Sequence, residues 1–287
     1  MSRVNTDELK TRRKAAGMTQ KQLAAAADIS YSTLTKLEQG AIASPSITLL
    51  NDVAAALGCR AEELLEAEPL EIAANPGIEF VYFDVGGVLV QSIDVSLHRF
   101  AETIHASDHA VKASFHEHGE AGARGNITLE ELKLLMMLRL GVSMSNEERQ
   151  SALAHQWIDD MEPITAGHRL LGEVVKHHKV GLLTNVFPGF SPDFFQRGLL
   201  PDISYKAVVK SCDVGFVKPE PAMYEVATQA ARTKPAKILL IDNSRINVKA
   251  ARDYGWQAEL FDERAPERSV ATIVRKHFKP GGAADES

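Results

Sequence analysis

Cysteine is scarce in this sequence, with only Cys59 and Cys212 among 287 residues. Two cysteines in separate segments can form neither a disulfide framework nor a thiolate metal site. Long apolar runs are also lacking, so no membrane-spanning helix is predicted, and the first residues, MSRVNTDELKTRRK, have no apolar signal core. We therefore expect a cytoplasmic protein that does not bind membranes.

The chain also lacks a strong excess of positive charge. Its net charge of -6 argues against general binding to polyanions. The first 40 residues differ, because they contain seven Lys or Arg and four Asp or Glu, a net charge of +3 that leaves -9 for the rest. A local contact with nucleic acid is compatible with this distribution.

The length of the chain predicts two or three compact units. Residues 1–68 show Ala and Leu at helical spacing, which predicts an all-α domain of short helices. Pro69, Pro76 and Gly77 then predict a linker over residues 69–77.

From residue 78 onward, short apolar segments alternate with helical ones. The expected strands are EFVYFDV, KVGLLTNV, SYKAVVKS, KILLIDNS and WQAELFD. This order predicts an α/β domain with a parallel sheet covered by helices on both faces. We assign its core to residues 78–91 and 166–278, an inserted helical cap to residues 92–165 and a disordered tail to residues 279–287.

In the first domain, MTQKQLAAAADISYSTLTKLEQG predicts two short helices joined by a tight turn. The expected inner face consists of Leu23, Ala26, Ile29, Leu34 and Leu37. The outward positions of the second helix are Tyr31, Ser32, Thr35 and Lys36. Their hydroxyl, ammonium and aromatic groups suit contacts with base edges and phosphates.

Thr19-Gln20, Ile29-Ser30 and the segment LEQG ending at Gly40 make residues 6–66 resemble the helix-turn-helix domain of phage repressors and xenobiotic-response-element regulators. The resemblance implies an Arg13–Glu38 pair and a homodimer on a double-stranded DNA operator. It also implies these DNA-contacting residues: Gln20, Ser30, Tyr31, Ser32, Thr35, Lys36 and Gln39. A helical module for dimerisation or protein docking is the alternative, because a fold does not fix a function.

A second set of polar residues follows the expected strands of the α/β domain. These are Asp84, Thr184-Asn185, Lys218 in GFVKPEPAMY, and Asp242-Asn243. Because the carboxyl ends of parallel strands share one edge of a sheet, we expect them to converge. A carboxylate nucleophile, a hydroxyl, an ammonium and a metal-binding carboxylate predict a phosphoryl-transfer site.

The segments VYFDVGGVLV, GFVKPEPAMYEVA and LLIDNSRINVKAARDYGW make residues 78–262 resemble the haloacid dehalogenase-like hydrolase superfamily. The resemblance implies Asp84, Thr184 and Lys218 as catalytic residues. It implies Mg²⁺ ligation by Asp84, the Gly86 backbone carbonyl, Asp242 and Asn243. It implies phosphate binding by Gly87, Thr184, Asn185 and Lys218.

Residues of the cap give weaker indications. The segment ARGNITLEEL resembles the cap turn of this superfamily, so its Arg124 is a candidate substrate contact. The alternative is that Arg124 is a solvated turn residue with no contact to substrate. His116 and His118 fit no single helix face and are not assigned to a metal.

The sequence departs from the superfamily pattern at two positions. Gly86 replaces the second acid of the first motif, and Asn243 replaces an acid of the last. Slow phosphatase activity, non-catalytic sensing of a phosphorylated ligand and metal-free dehalogenase-like chemistry all remain open. We expect a transcriptional regulator whose second domain binds, or slowly hydrolyses, a phosphorylated small molecule. The alternative is a Mg²⁺-dependent phosphatase whose first domain targets or dimerises it.

Overall fold

The computed structural model describes residues 3–42, 44–65 and 70–278 of the chain. The chain divides into two compact units, Met1–Pro69 and Leu70–Ser287. None of the helices in the described ranges is both long enough and apolar enough to cross a bilayer.

The first unit is entirely helical. Its helices are α1 (Thr6–Ala15), α2 (Gln20–Ala26), α3 (Tyr31–Glu38) and α4 (Ile47–Ala56), followed by a 3₁₀ turn at Ala61–Leu64. The side chains of Asn5, Thr19, Ser30 and Ser46 each accept a backbone N–H at the start of one helix. These caps fix where the short helices begin.

The core of the first unit is formed mainly by leucines. Leu9, Leu23, Leu34 and Leu37 are fully buried. The prediction for Ala26 is wrong, because it is exposed and Ala24 and Ala27 are buried instead. Residues 23, 24 and 27 lie on one face of a helix that turns about 100° per residue, and residue 26 lies outside it.

The second unit contains a five-stranded parallel sheet, as predicted. Its strands are β1 (Phe80–Phe83), β2 (Lys179–Thr184), β3 (Ala207–Lys210), β4 (Ile238–Asp242) and β5 (Gln257–Leu260). They are ordered β3-β2-β1-β4-β5. Phe83 pairs with Leu182 on one side and Ile241 on the other, so the ends of the three central strands reach the same edge.

Helices cover both faces of this sheet. They are α9 (Thr165–Val174), α10 (Phe190–Gln196), α11 (Ser211–Val214), α12 (Pro221–Ala231), α13 (Arg245–Asp253) and α14 (Pro266–Ile273), and a π-helical turn follows at Val274–Phe278. Alternate residues of β1 enter two apolar clusters, with Val81 and Phe83 in one and Phe80 and Tyr82 in the other. Burial on both faces explains why its sequence is continuously apolar.

The segment between β1 and α9 forms the predicted helical cap. It consists of α5 (Asp94–Thr103), α6 (Asp108–Ala123), α7 (Leu129–Arg139), α8 (Asn146–Ala154) and a 3₁₀ turn at Trp157–Asp160. Lys133 is fully buried within it and donates to the carbonyls of Ala152, Leu153 and His155. The lysine thereby satisfies the last carbonyls of α8.

Residues 70–77 of the predicted linker belong to the second unit and hydrogen-bond to its turn at Val274–Phe278. Ala73 N–H donates to the Phe278 carbonyl at 2.7 Å, and Asn75 Nδ2 donates to the His277 carbonyl at 2.8 Å. Leu70 and Ile72 pack against its apolar core. The predicted tail, residues 279–287, lies outside the described residues.

Candidate functional site

Three charged side chains meet at the carboxyl edge of the sheet. Asp84 follows β1, Asp242 ends β4, and Lys218 lies in the loop before α12. Lys218 Nζ lies 2.9 Å from Asp84 Oδ2 and 2.7 Å from Asp242 Oδ2, and it donates to the Leu183 carbonyl at 2.8 Å. The ammonium group is thus held between two carboxylates with three acceptors around it.

Asp242 is held in place by the start of α13. Its Oδ1 accepts the Ser244 backbone N–H at 2.8 Å and the Asn247 side-chain amide at 3.1 Å. Sequence reasoning missed Asn247 as part of this site. Its position in the first turn of α13, five residues after Asp242, is the signal that would have indicated it.

The buried charges shift one another's pKa values. Burial raises the pKa of Asp84 to about 7; Lys218 opposes this shift, and the negative charge of Asp242 adds to it. Burial alone would lower the pKa of Lys218, but the two carboxylates outweigh it and the pKa is raised. Two acids share one ammonium here, so the cluster favours a proton or a further cation.

The two glycines after Asp84 have different surroundings. Gly87 has a φ of +77°, and a Cβ added there would lie 2.6 Å from Asn243 Cγ and closer still to Nδ2. Any side chain at Gly87 would displace Asn243. Gly86 does not have a positive φ, and no heavy atom lies within 4 Å of a Cβ added there. The position of the missing acid is therefore open space.

The turn after β2 contributes a hydroxyl and holds the lysine loop. Thr184 is buried beside the site. The Asn185 side chain donates to the Lys218 carbonyl and accepts the Lys218 N–H, both at 2.9 Å. The Asn185 amide is thus bonded to the Lys218 backbone, and its predicted role in phosphate binding stays a prediction.

A cavity of about 400 Å³ separates this edge of the sheet from the cap. Gly86, Thr184 and Lys218 line its core side, and residues of α6 line its cap side. His116 is among the latter, and no sequence pattern had placed it there. Of the three charged residues at this edge, Lys218 lines the cavity.

Arg124 does not line this cavity. At the end of α6, its guanidinium donates to Glu220 at 2.5 Å, to Glu120 at 2.7 Å and to the Gly215 carbonyl at 3.1 Å. These side-chain bonds raise its pKa. The prediction of a substrate contact is replaced by an ion pair that joins the cap to the loop carrying Lys218.

In the first unit, α3 presents a polar surface. Tyr31, Ser32, Lys36 and Gln39 are exposed, and Thr35 is half-buried. The Thr35 hydroxyl donates to the Tyr31 carbonyl at 2.9 Å. The Ser30 hydroxyl caps the helix by accepting the Thr33 N–H at 3.0 Å. The described surface therefore offers these four exposed side chains, and the exposed Ser30 before them, to a partner.

Helices α1, α2 and α3 are joined by one polar cluster. Arg13 Nε donates to buried Glu38 Oε1 at 2.6 Å, which is the predicted pair. Gln20 Nε2 donates to Glu38 Oε2 at 2.7 Å, and Tyr31 Oη donates to Gln20 Oε1 at 3.2 Å. The side chain of Gln20, predicted to contact DNA, is therefore also part of this internal hydrogen-bond cluster.

Comparison with protein families agrees with both units. Residues 78–255 match the family described as haloacid dehalogenase-like hydrolase. The chain belongs to this family. Residues 9–64 match the helix-turn-helix family. The haloacid dehalogenase-like domain is thus fused to a helix-turn-helix domain in one chain.

Known proteins are similar to parts of this chain. A segment of 75 residues is 38% identical to bifunctional epoxide hydrolase 2 of Rattus norvegicus, covering 26% of this chain and 12% of that protein. Among solved structures, a haloacid dehalogenase family enzyme of Bacteroides thetaiotaomicron, in complex with magnesium and inorganic phosphate, matches with a TM-score of 0.51, 21% identity and coverage of 64% of this chain and 94% of that one.

L-2-haloacid dehalogenase of Xanthobacter autotrophicus, with chloropropionic acid covalently bound, matches with a TM-score of 0.52, 17% identity and coverage of 71% of this chain and 85% of that one. At these identities the likeness shows the fold alone.

The haloacid dehalogenase-like domain offers oxygen donors that suit magnesium. They are the carboxylates of Asp84 and Asp242, the Gly86 carbonyl and the Asn243 amide oxygen. The excess negative charge of the buried cluster favours a cation as well. Within the described residues, however, no three His, Cys, Asp or Glu side chains form a metal cluster. Because both carboxylates already contact Lys218, we expect this set of oxygen donors to bind Mg²⁺ weakly.

Proposed function

We propose that this protein is a DNA-binding transcriptional regulator whose haloacid dehalogenase-like domain binds a phosphorylated small molecule. The position of Lys218, buried between Asp84 and Asp242 at the edge of the cavity and near Gly86, carries this proposal. Because two carboxylates share this one ammonium, a phosphate would bind there together with a further cation, whereas glycine cannot protonate a leaving oxygen. Since a positioned acid or base contributes about 10²- to 10⁴-fold in rate, the arrangement favours binding over turnover.

Residues of the core would hold the phosphoryl group. The Thr184 hydroxyl would donate to its oxygens, and Lys218 would add nearby positive charge. The predicted donation by the Gly87 N–H needs correction, because that group donates to the Val90 carbonyl at 2.7 Å. Asn185 contributes by fixing the backbone of Lys218. Asp84 would face the phosphorus atom as the acceptor in any slow transfer.

Magnesium would be held by Asp84, the Gly86 carbonyl, Asp242 and Asn243. When bound, it would supply positive charge that reduces the repulsion of the phosphate by the Asp84 carboxylate. Its affinity should be modest, because Asn243 contributes no charge.

The first domain would bind a double-stranded DNA operator in the cytoplasm. Tyr31, Ser32, Lys36 and Gln39 are exposed on and just after α3 and would contact DNA, with Ser30, Thr35 and Gln20 supporting that surface. One small module makes few phosphate contacts, so a homodimer on a palindromic operator is expected.

Ligand binding would alter DNA affinity. A ligand can shift such an equilibrium only if it binds the two states of the protein differently. We infer that an anion at Asp84 and Lys218 changes the position of the cap, and that this change reaches the DNA-binding domain.

The experiment is a selection of DNA from a random duplex pool, followed by affinity measurement with and without inorganic phosphate and glucose 6-phosphate. Size-exclusion chromatography with light scattering would determine whether the complex contains two chains. A changed operator affinity is expected with a phosphate compound that binds. Failure to select any DNA, or identical affinities with every compound that binds, would contradict the regulator role.

A Mg²⁺-dependent phosphatase, targeted or dimerised by its first domain, is the second candidate. The retained Asp84–Lys218 pair and membership in a hydrolase family favour it. Steady phosphate release with Mg²⁺ that is abolished by Asp84→Asn, together with no selected DNA, would support this candidate over the regulator.

A further inference from the structure

The cavity between cap and core has a polar end and an apolar body. Thr184 and Lys218 form the polar end, at the carboxyl edge of the sheet. From there the cavity extends along α6 of the cap, which contributes Phe115, Gly119 and Ala123. A molecule whose anionic group lies at the polar end must therefore place its remaining atoms against the cap.

The wall at the cap is aromatic and closely packed. The Phe115 and Phe187 rings meet edge to face with centroids 6.1 Å apart, and buried Trp157 packs behind both at 5.9 and 6.2 Å. A Cβ added to Gly122 would lie 2.5 Å from the Phe187 ring, so α6 approaches this ring as closely as a glycine allows. Val90, Ile93 and Met161 extend the apolar lining.

The polar side chains along the body of the cavity are few and partly engaged. Glu120 Oε1 accepts two hydrogen bonds from Arg124, at 2.7 and 2.9 Å. Gln91 Oε1 accepts the Glu162 N–H at 3.3 Å. His116 adds a ring nitrogen from the cap side. A polyhydroxylated body would lose hydrogen bonds to water on entering, and these groups could replace few of them.

We propose that this cavity selects monophosphate esters of apolar alcohols, alkyl or aryl, over sugar phosphates. The inference rests on the proposed function, because it assigns the body of the ligand whose phosphoryl group the core binds. An apolar body gains free energy from leaving water against the aromatic wall, whereas a sugar gains little.

The test is calorimetric titration of the full chain, with Mg²⁺ present, using hexyl phosphate, phenyl phosphate, glucose 6-phosphate and inorganic phosphate. Hexyl and phenyl phosphate are expected to bind about tenfold more tightly than glucose 6-phosphate, or better. Glucose 6-phosphate binding as tightly as hexyl phosphate would overturn this inference and leave the proposed function standing. Failure of all four compounds to bind would overturn both.

A cavity-filling variant supplies a second measurement. Ala123→Leu narrows the apolar body, so we expect it to weaken hexyl phosphate about fivefold or more while leaving inorganic phosphate unchanged. Ala113→Leu is the matched control, because Ala113 is exposed on the same helix and lies outside this cavity. Equal weakening of hexyl and inorganic phosphate would contradict the inference. The comparison of ligands on the unchanged chain decides the question even if the variant does not fold.

Discussion

Asn243 packs so closely against Gly87 that a Cβ added to the glycine would lie 2.6 Å from Asn243 Cγ. Gly86, one residue earlier, has open space where its side chain would be. The turn after β1 therefore has room for a side chain at Gly86 and none at Gly87. This difference makes the missing general acid testable.

We expect Gly86→Asp to raise phosphatase activity about 10²-fold or more, because it supplies an acid without steric conflict. Gly86→Asn is the matched control, since it has a similar shape and no acidic proton. Phosphate release from phenyl phosphate with Mg²⁺ would be measured for both variants. Equal rates in the two variants would show that the acid is not the limiting defect. Gly87→Asp should instead destabilise the domain.

Replacing Lys218 by Met should lower the free energy of unfolding by about 3–5 kcal/mol at pH 7, because it leaves two buried carboxylates without their shared cation. Urea denaturation would measure the change. Lys249→Met is the control, since the Lys249–Asp253 pair is exposed and such pairs contribute about 0–1 kcal/mol. Similar losses in both variants would contradict the role assigned to Lys218.

The stability of the second unit should depend on pH through Asp84. Its pKa is about 7 in the folded chain and 3.8 for the isolated group, so between these values the folded state holds a proton that the unfolded state releases. The stabilisation that comes from this proton is complete below pH 3.8 and is lost as the pH rises through about 7. Urea denaturation from pH 5 to pH 8 with a chelator should show this fall. Asp84→Asn lacks the titrating group and should show less of it, so parallel curves would contradict the shift.

Lys36 should contribute to DNA affinity through a phosphate. Lys36→Ala is expected to weaken a selected operator about tenfold and to reduce the slope of log affinity against log salt by about 1. Fluorescence anisotropy at several salt concentrations would measure both. Lys14→Ala removes an exposed lysine from α1 and should change affinity less. Equal effects of the two variants would argue against a specific role for α3.

Much of the α/β fold could be predicted because its strands are buried on both faces. VYF in β1 and ILLI in β4 are continuously apolar for that reason, and the acids that end them mark the edge of the sheet. The face of α2 was predicted less well, since a run of alanines does not reveal which one is buried. Ala26 is exposed and Ala27 is buried because of the way α2 packs against the other helices of the first unit.

Local sequence features predicted the order of strands and helices, the convergence of Asp84, Lys218 and Asp242, and the glycine in place of an acid at position 86. Periodicity and strand ends are local properties, and parallel topology carries them to one edge. The partners of Arg124 and Asn185 could be found only from the folded chain, because a side chain's hydrogen bonds depend on which distant segments approach it. Arg124 bonds Glu220, 96 residues away, and Asn185 bonds the Lys218 backbone, 33 residues away. The spacing of residues in the sequence does not predict these two contacts.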